Sequence, residues 1–306
     1  MSFSIVTPSF GQPRWLRLCA ASVADQTGVS VEHIVVDGGS DNDVLELLRR
    51  RGEPGAAGGA GAAAGGSLHD PPSRRRLRWI SEPDQGMYDA INKGLRLATG
   101  DICGYLNCDE QYLPGALEKV AARFARDPRL QVLFSDVVVT GANGGYLCSR
   151  QALKPLSFHT RVCHLSTLSA GAFFRRSLLD RGAMYFDTSW RMVADAAWVL
   201  AAMRNRVVMG VLRDYVAAFA ETGVNMGAKE TGRQEAENLR RSAPKLVRAL
   251  GPLWSAHHRL RRLAHGLYFP KPFGYAIYTL ESPDRRVDFT VKRPRFLWKG
   301  RLSWLR

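Results

Sequence analysis

Residues 81–110 read SEPDQGMYDAINKGLRLATGDICGYLNCDE, and this stretch decides the fold of the chain. From residue 87 to residue 98, small and apolar side chains recur at helical spacing beside a polar face. The pair Thr99-Gly100 ends this pattern, because glycine tolerates the left-handed conformation that closes a helix. The apolar run 102–106 follows, and a parallel sheet buries strands of this kind on both faces. The stretch therefore predicts a helix followed by a buried parallel strand.

Polar side chains come directly after that strand. In open α/β sheets, ligands bind at the carboxyl ends of the strands, which is where Asn107, Asp109 and Glu110 are expected. A hard divalent cation takes oxygen ligands from a few carboxylates, together with phosphate oxygens and water. Asp109 and Glu110 are therefore predicted to hold Mn²⁺ or Mg²⁺. The alternative is that this acidic pair only caps the turn that follows it.

The amino-terminal half contains two further strand–turn–helix units. Residues 3–6 alternate as a first strand, and residues 33–36 form a second strand that ends at a polar turn beginning with Asp37. Consecutive units of this kind predict an α/β fold with a doubly wound sheet. Residues 52–73 are rich in glycine and alanine and lack a periodic face, so they predict a flexible insertion before the next strand.

Four sequence blocks, in their order and spacing, resemble the family-2 glycosyltransferases of GT-A fold. They are TPSF at 7–10, DGGS at 37–40, EPDQGMYDAINKG at 82–94 and LNCDE at 106–110. The resemblance is close over about residues 3–120 and looser to about residue 226. It implies a GT-A type mixed sheet with a Rossmann-like nucleotide-binding half. It also implies transfer of a sugar from a nucleotide-sugar, most often UDP-linked in the family, to an acceptor hydroxyl with inversion.

The resemblance also implies roles for individual residues. Thr7, Ser9 and Phe10 would line the base and ribose pocket, Asp37 would accept a hydrogen bond from the base, and Asp84 would contribute nearby. Asp109 stands at the metal position, although this chain has Asn107-Cys108-Asp109 where the family often has Asp-x-Asp. The residues predicted to bind the nucleotide-sugar are Thr7, Pro8, Ser9, Phe10, Asp37, Gly39, Asp84, Gly86, Asn92, Lys93, Asn107 and Cys108.

Displacing a nucleoside diphosphate in one step needs a base within reach of the acceptor hydroxyl, and a carboxylate is the usual choice. Residues 186–200 resemble the family segment in which an acidic residue opens a helix and serves as this base, and Asp195 is predicted to do so. The alternative is a carboxylate stabilised there by the helix dipole. His164 and Asn225 lie in blocks similar to family loops and are predicted to contact the acceptor or the diphosphate.

The chain has 306 residues, 45% of them hydrophobic, which is enough for one substantial core and an appendage. Its five cysteines lack metal-ligand spacing and favour a reducing compartment over a disulfide framework. The sequence shows no amino-terminal signal and no run of 18 or more apolar residues. We therefore expect a cytoplasmic protein that is soluble or peripheral on the inner face of the cell membrane.

The formal net charge is +15, and residues 245–306 carry +11 of it, from 14 Lys or Arg and three Asp or Glu. Aromatic residues are mixed with these basic residues, which suits an anionic membrane surface. Nucleic acid would attract the same charge, and an ordinary solvated face with its aromatics packed inward is a further alternative. No nucleic acid is expected as a partner, because the half that carries the four blocks is nearly balanced in charge.

The sequence as a whole predicts an inverting glycosyltransferase that acts on a glycan or lipid-linked acceptor in cell-surface polysaccharide or lipopolysaccharide synthesis. Residues 1–226 would form the catalytic domain, and residues 227–306 a basic, partly helical extension associated with the membrane or the acceptor. One alternative is a nucleotidyltransferase, but its glycine-rich loop with a downstream basic pair is absent after Val6. The other is a non-enzymatic, basic nucleic-acid-binding module.

Overall fold

The computed structural model describes residues 1–51, 53–54, 76–180, 184–223 and 230–297. These residues form a mixed sheet of ten strands, a separate two-stranded sheet, and helices that pack on them. The strands are β1 (Ser2–Ser9), β2 (Ser30–Asp37), β3 (Glu53–Pro54), β4 (Arg76–Ser81), β5 (Ile102–Tyr105), β6 (Glu110–Tyr112), β7 (Val132–Gly141), β8 (Tyr146–Arg150), β9 (Ala172–Arg175), β10 (Met209–Glu221), β11 (Phe273–Ile277) and β12 (Val287–Val291).

The helices alternate with strands in the first part of the chain and follow one another after β10. They are α1 (Pro13–Ala24), α2 (Asn42–Arg51), α3 (Met87–Arg96), α4 (Ala116–Arg126), α5 (Ser157–Val162), α6 (Ser177–Asp180), α7 (Ala194–Arg204), α8 (Glu230–Arg241), α9 (Lys245–Ala249) and α10 (Gly251–Ala264), with a 3₁₀ turn at Ser169–Gly171. Among the described residues, no helix combines the length and the apolar character needed to cross a membrane.

The large sheet runs in the order β3-β4-β2-β1-β5-β9-β7-β10-β6, with β8 paired to β7. Strands β3, β4, β2, β1 and β5 are parallel to one another, so their carboxyl ends share one edge. Strand β9 is antiparallel to both of its neighbours, β5 and β7. The sheet is therefore mixed, and its parallel half presents one common edge to ligands.

Alternate residues of β1 face opposite sides of the sheet, as a strand requires. Phe3 and Ile5 pack in a buried cluster with side chains of α1 and α4. Val6 packs on the other side, in a cluster with side chains of α3 and α7. Helix α3 lies close to the sheet at Gly94, where a Cβ atom would collide with Val6. Helices therefore cover both faces, which is the doubly wound arrangement that the sequence predicts.

The predicted elements of the nucleotide-binding half are observed with small shifts. Helix α3 ends at Arg96, before the Thr99-Gly100 pair that was expected to close it. The predicted insertion 52–73 needs a correction, because Glu53–Pro54 pairs with β4 as the short edge strand β3. The rest of that segment lies outside the described residues.

Residues 230–297 pack on the elements that precede them, and their hairpin packs on the large sheet. The β11–β12 hairpin shares a buried cluster with side chains of β7, β10 and the β6–α4 connection. Arg286 reaches from the hairpin to Asp25 at the end of α1, with nitrogen–oxygen distances of 2.5 and 2.7 Å. The apolar members of that cluster are Leu113, Val138, Ala218, Tyr275, Ile277 and Val291. The hairpin is thus part of the folded core.

Candidate active site

Asp37 joins the ends of three parallel strands. It is fully buried at the end of β2, and its carboxylate accepts hydrogen bonds from the Ser40 backbone N–H at 2.9 Å and from the Ser81 hydroxyl at 2.7 Å. The next residue, Gly38, donates its N–H to the carbonyl of Ser9 at 2.9 Å. Asp37 therefore shapes the turn after β2 and ties it to the ends of β1 and β4.

The side chains of Phe10 and Asp84 flank this junction, and the surface formed by Phe10, Gly38, Gly39 and Asp84 is called the cleft. Phe10 is 69% exposed at the end of β1, and Asp84 approaches from the loop after β4. A Cβ atom at Gly38 would lie 2.5 Å from Asp84 Oδ2 and 3.3 Å from the Phe10 ring, so glycine allows both side chains to approach the turn this closely. Gly39 adopts a φ of +87° and is exposed beside it. Three of the predicted blocks thus meet at one place, with an exposed aromatic ring and a carboxylate facing each other.

The loop before α3 is held by Lys93. Its Nζ donates to the carbonyl of Pro83 at 2.8 Å and forms an ion pair with Glu82 at 2.9 Å. Burial lowers the pKa of Lys93, but the hydrogen bond and charge of Glu82 outweigh this and leave the pKa raised. Gly86 starts α3 with a φ of +119° and donates its N–H to Asp84 Oδ1 at 2.7 Å. Lys93 therefore positions the loop that carries Asp84.

Asn107, Asp109 and Glu110 follow β5 at the same edge of the sheet, as the sequence predicts. Glu110 begins β6 and is fully buried, and its Oε2 accepts a hydrogen bond from the Asn107 N–H at 2.8 Å. The carbonyl of Asp109 accepts one from the Ala220 N–H of β10 at 3.1 Å. Burial raises the pKa of Asp109, and burial and the charge of Asp109 raise that of Glu110. The pair is therefore costly to ionise unless a positive charge binds beside it.

The oxygen atoms at this edge fit Mn²⁺ or Mg²⁺ only in part. Carboxylate and amide oxygens are ligands of hard cations, and Asn107 Oδ1 is buried without a hydrogen-bond donor in the described part of the chain. No group of three or more His, Cys, Asp or Glu suited to a metal ion occurs among the described residues, so phosphate oxygens and water would have to complete the shell. Glu110 Oε1 is likewise buried without a hydrogen-bond donor among the described residues, while its Oε2 holds the Asn107 backbone.

Asp195 lies in the first turn of α7, where its Oδ1 accepts a hydrogen bond from the Ala196 N–H at 2.7 Å. Burial raises the pKa of Asp195 to about 6. Its carboxyl lines a mainly apolar cavity with Tyr105, Ser169 and Phe186 among the walls. Beyond the effect of burial, the charges of both Asp195 and Glu110 raise the pKa of Tyr105. Tyr105 therefore lies close to both the predicted base and the carboxylates after β5.

Glu235 of α8 holds the segment that leads into α7. Its carboxylate accepts hydrogen bonds from the backbone N–H groups of Arg191, Met192 and Val193 at 2.8, 2.8 and 3.2 Å. These amides belong to the N-cap Val193 and to the two residues before it, so the contact fixes the chain where it enters α7. Asp195 follows two residues later, so the carboxyl-terminal part of the chain fixes where the predicted base lies.

Two of the residues predicted to bind the donor have buried side chains with partners inside the protein. The Thr7 hydroxyl is fully buried and hydrogen-bonds His33 Nε2 at 2.8 Å. The Cys108 thiol is buried and donates to the carbonyl of Pro8, itself a buried residue, at 3.1 Å. Both side chains are buried in the packing beneath the strand ends. The Thr7 bond joins β1 to β2, and the Cys108 bond joins the β5–β6 turn to β1.

Asn92 also has a structural role. It is buried, with its Nδ2 donating to the Phe186 carbonyl at 2.7 Å and its Oδ1 accepting from the Phe186 N–H at 2.9 Å. The predicted donor contact is therefore replaced by a connection between α3 and the segment before α7. His164 is exposed and lies beside α10. Asn225 lies outside the described residues.

The sequence alone did not point to Tyr105, Ser169 or Glu235. Tyr105 reads as one more residue of a buried strand, and Glu235 as one acid on a highly charged helix. Their importance depends on contacts with segments that are distant in the chain. The only local signal is that Ser169 follows the His164 block closely.

A mixed, doubly wound sheet with polar side chains at the carboxyl ends of its parallel strands is the arrangement of a GT-A fold. The chain belongs to glycosyl transferase family 2, because the model of that family matches residues 4–186. Its predicted fold and its glycosyltransferase activity are confirmed. This assignment decides against the nucleotidyltransferase and the nucleic-acid-binding alternatives.

Several named proteins are similar to this chain in sequence. A PGL/p-HBAD biosynthesis glycosyltransferase of Mycobacterium bovis is 28% identical over 226 residues, which cover 72% of this chain and 77% of that protein. An uncharacterised glycosyltransferase of Mycobacterium tuberculosis is 34% identical over 110 residues, covering 36% of this chain and 34% of that protein.

The structure is similar to crystal structures of S. aureus TarS. The TarS 1-349 fragment in complex with UDP-GlcNAc matches with a TM-score of 0.56 and 18% identity, over 78% of this chain and 64% of that one. A longer TarS structure matches with a TM-score of 0.54, and the match covers 88% of this chain but only 45% of that chain. At this identity the likeness establishes the fold alone.

Proposed function

We propose that this glycosyltransferase moves a sugar from UDP to a hydroxyl of a glycan or lipid-linked acceptor, with inversion and with Asp195 as the base. The observation that carries the proposal is the environment of Asp195. A carboxyl whose pKa is raised to about 6 by burial is mostly ionised near neutral pH and still basic enough to accept a proton. It lines a cavity next to the strand edge where family members bind their donor.

The donor nucleotide is assigned to the cleft over β1 and β2. Phe10 offers an exposed ring on which a base can stack, while Asp84 and the Gly38-Gly39 turn provide polar groups opposite it. Asp37 shapes the Gly38-Gly39 turn through its hydrogen bonds to Ser40 and Ser81. Because Asp37 is fully buried, it would contact the base from the interior side of this turn. The TarS complex with UDP-GlcNAc is consistent with a UDP-sugar, and the donor sugar itself is left open.

Asp109 is assigned to the divalent metal, with Asn107 and the donor diphosphate as further oxygen ligands. When bound, Mn²⁺ or Mg²⁺ would supply the positive charge that offsets the charge of the leaving diphosphate. Glu110 is assigned a supporting part, because its carboxylate holds the Asn107 backbone. Occupation by a cation would also lower the raised pKa values of Asp109 and Glu110.

In the reaction, Asp195 would accept the proton of the acceptor hydroxyl as its oxygen attacks the anomeric carbon of the donor sugar. The apolar walls around Asp195 would exclude water, which limits hydrolysis of the donor. Attack from the side opposite the diphosphate inverts the configuration at that carbon. Glu235 keeps Asp195 in place through the three amides that it binds.

The carboxyl-terminal helices are assigned to a membrane surface that carries the acceptor. Large apolar side chains on and after α9 and α10 are 52–74% exposed and stand among basic residues. An interfacial segment combines apolar and basic side chains in this way. The exposed apolar residues are Leu246, Leu253, Leu260, Leu263 and Phe269. The proposal therefore includes peripheral membrane association and a role in cell-surface polysaccharide or lipopolysaccharide synthesis.

The donor assignment can be tested by titration calorimetry with UDP and a panel of nucleotide-sugars, with and without Mn²⁺. Asp109→Ala is expected to abolish the increase in affinity that Mn²⁺ provides. The matched control is Asp214→Ala, which removes a surface carboxylate paired with Lys119 and should leave binding unchanged. If Asp109→Ala binds UDP as the unmodified protein does under both conditions, the metal assignment is wrong.

The membrane assignment can be tested by co-sedimentation with anionic and neutral liposomes at low and high salt. The double variant Leu253→Ser and Leu260→Ser is expected to lose association with anionic liposomes, because each removes exposed apolar surface. Leu147→Ser, at a 40% exposed residue of β8, is the control. Equal sedimentation of both variants would exclude this face as the contact.

A further inference from the structure

Four histidine rings meet between α5 and α10, outside the site described above. His159 Nε2 and His257 Nδ1 are 3.1 Å apart. The ring centroid of His258 lies 5.3 Å from that of His159 and 4.7 Å from that of His164. His159 and His258 are buried, whereas His164 is exposed at the edge of the group. This histidine cluster therefore joins the carboxyl-terminal helices to the catalytic domain and has one side open to solvent.

The charges around the histidine cluster are mainly positive. Arg261 lies 3.4 Å from His159 Nδ1, and Arg150 and Arg262 both act on the pKa of His164. The carboxylate that faces Arg262 is Asp136, which is already paired with Arg213 at 3.4 Å. These arginines are partly buried and outnumber the nearby carboxylates. Placing several positive charges close together in this way costs free energy. An anion bound among them would offset this cost.

His258 adds an independent observation. It is only 6% exposed, and neither of its ring nitrogens has a hydrogen-bond partner among the described residues. Buried polar atoms in folded proteins nearly always have a partner, since leaving one unpaired costs free energy. The unpaired imidazole therefore points to a ligand or water that completes the cluster.

A metal ion is a poor occupant for this cluster. The described residues contain no group of three or more His, Cys, Asp or Glu suited to hold one. The neighbouring Arg261 and Arg262 would also repel a cation. Arginine instead binds phosphate groups through its planar fork of N–H donors, and a neutral or protonated imidazole can donate a further hydrogen bond.

The cluster lies between the proposed base and the proposed membrane face. The segment after His164 lines the Asp195 cavity through Leu165, Thr167 and Ser169. Helix α10 carries His257, His258, Arg261 and Arg262 toward α5, while Leu253, Leu260 and Leu263 on the same helix are exposed. The cluster is thus connected to the Asp195 cavity by the segment after His164 and to the exposed leucines by α10.

We propose that the cluster of His159, His164, His257 and His258 with Arg261 and Arg262 binds a phosphate or diphosphate group. That this group belongs to a lipid-linked acceptor rests on the function proposed above. The phosphate would anchor the acceptor so that its sugar hydroxyl reaches Asp195. The site is separate from the donor cleft over β1 and β2, so it would accept phosphate while UDP is bound.

Binding at the cluster should depend on pH in a defined direction. Burial, and then neighbouring charges, lower the pKa of His258 to about 3 and that of His159 to about 4. A bound anion favours the protonated rings and raises these pKa values, so binding takes up protons and tightens as the pH falls. The charged or titratable groups that face the cluster are His159, His164, His257, Arg150, Arg213, Arg261, Arg262, Asp136 and Tyr268.

Titration calorimetry of the full chain with inorganic pyrophosphate in EDTA tests the proposal. Arg262→Gln is expected to weaken binding by about ten- to a hundredfold, the range for losing a hydrogen bond to a charged group. Arg259→Gln, at an exposed position of the same helix, is the matched control and should bind as the unmodified protein does. Equal affinity of the two variants overturns the proposal.

UDP with Mn²⁺ is titrated in parallel to separate the possible sources of phosphate. The proposal requires that Arg262→Gln bind UDP normally, and a loss for UDP would assign the cluster to the donor diphosphate instead. A soluble prenyl diphosphate should bind more tightly than pyrophosphate if the anchor is part of a lipid-linked acceptor. Asp195→Asn should still bind pyrophosphate, so failure of the proposed base would leave this result unchanged.

A second measurement does not depend on how the variant folds. In the unmodified protein, the imidazole resonances of the four histidines are followed by NMR during a pH titration, with and without pyrophosphate. The pKa values of His159 and His258 are expected to rise when pyrophosphate is present. Unchanged histidine titrations, or shifts with Zn²⁺ and none with pyrophosphate, would rule out the phosphate site.

Discussion

The carboxylate of Glu235 accepts a hydrogen bond from the backbone N–H of Met192 at 2.8 Å, across 43 positions of the chain. Its second oxygen and the adjoining amides extend this contact, so one side chain of α8 satisfies the free donors ahead of α7. Because Asp195 sits in the first turn of α7, the position of the proposed base depends on a helix that follows the sheet. This relationship leads to the first prediction.

Glu235→Gln keeps the shape of the side chain but removes its charge and one acceptor oxygen. We expect kcat to fall about tenfold, since one or two charge-assisted hydrogen bonds are lost, while UDP affinity is unchanged. Steady-state kinetics and UDP calorimetry provide the measurement. Glu237→Gln on the same helix, which breaks only exposed ion pairs with Arg240 and Arg241, should leave kcat near normal. Equal loss in both variants would contradict a positioning role.

Asp195→Asn removes the basicity of the proposed base. Transfer should fall by about 10²–10⁴-fold, the range for loss of a general base, with donor affinity retained. In the unmodified protein, kcat/KM should decline below about pH 6, because the pKa of Asp195 is raised to about 6 and only the ionised form accepts a proton. Asp187→Asn, at an exposed residue, is the control. Normal turnover in Asp195→Asn would show that another group is the base.

The same variant should change stability in a pH-dependent way. The folded pKa of Asp195 lies above its ordinary value of 3.8, so the native state binds more protons and stability falls as the pH rises between the two values. Asp195→Asn should therefore be more stable than the unmodified protein near neutral pH, by roughly 2–3 kcal/mol. This gain should disappear at low pH. Urea unfolding at several pH values measures it, and a constant difference would refute the raised pKa.

Gly38→Ala should disturb the proposed donor site. The added Cβ would lie 2.5 Å from Asp84 Oδ2, so Asp84 or Phe10 must move and UDP affinity should drop by at least about tenfold, equivalent to 1.4 kcal/mol. Gly274→Ala in β11 is the control, because its Cβ would make only an ordinary contact of 3.5 Å. Calorimetry with UDP decides between them. Unchanged affinity in Gly38→Ala would place the nucleotide elsewhere.

Arg286→Gln should destabilise the fold. Arg286 binds both oxygens of Asp25, with the side chains 13% and 32% exposed, and also donates to the carbonyls of Tyr112 and Ala276. Its loss should lower the free energy of unfolding by about 2–3 kcal/mol, because charged hydrogen bonds are lost. Asp25 would then keep the Tyr278 hydroxyl as a donor but lose the positive charge of Arg286.

The comparison for this prediction is Arg17→Gln. Arg17 pairs with Asp284 at the surface, where the side chains are 40% and 76% exposed, and its loss should cost less than about 1 kcal/mol. The midpoint of urea unfolding measures both variants. Similar midpoints would mean that the hairpin contributes little to the stability of the catalytic domain.

The sequence by itself determined the order and type of the elements that carry the site. The alternating run of β1, the buried run of β5 and the helical spacing of α3 each depend on neighbouring residues only, so they can be read locally. The same holds for Asp109, Glu110 and Asp195, because a polar residue that follows an apolar strand or opens a helix stands out in the sequence.

Only the tertiary structure decided which polar residues face the cleft and which serve the packing. Thr7 and Phe10 belong to one block, yet Thr7 hydrogen-bonds His33 beneath the sheet while Phe10 is exposed above it. Asn92 lies in the stretch 81–110 and hydrogen-bonds the backbone of Phe186, which is 94 positions away. Sequence spacing gives the face of an element but not its neighbour. Contacts such as Glu235 with Met192, or His159 with His257, form only when distant segments pack together.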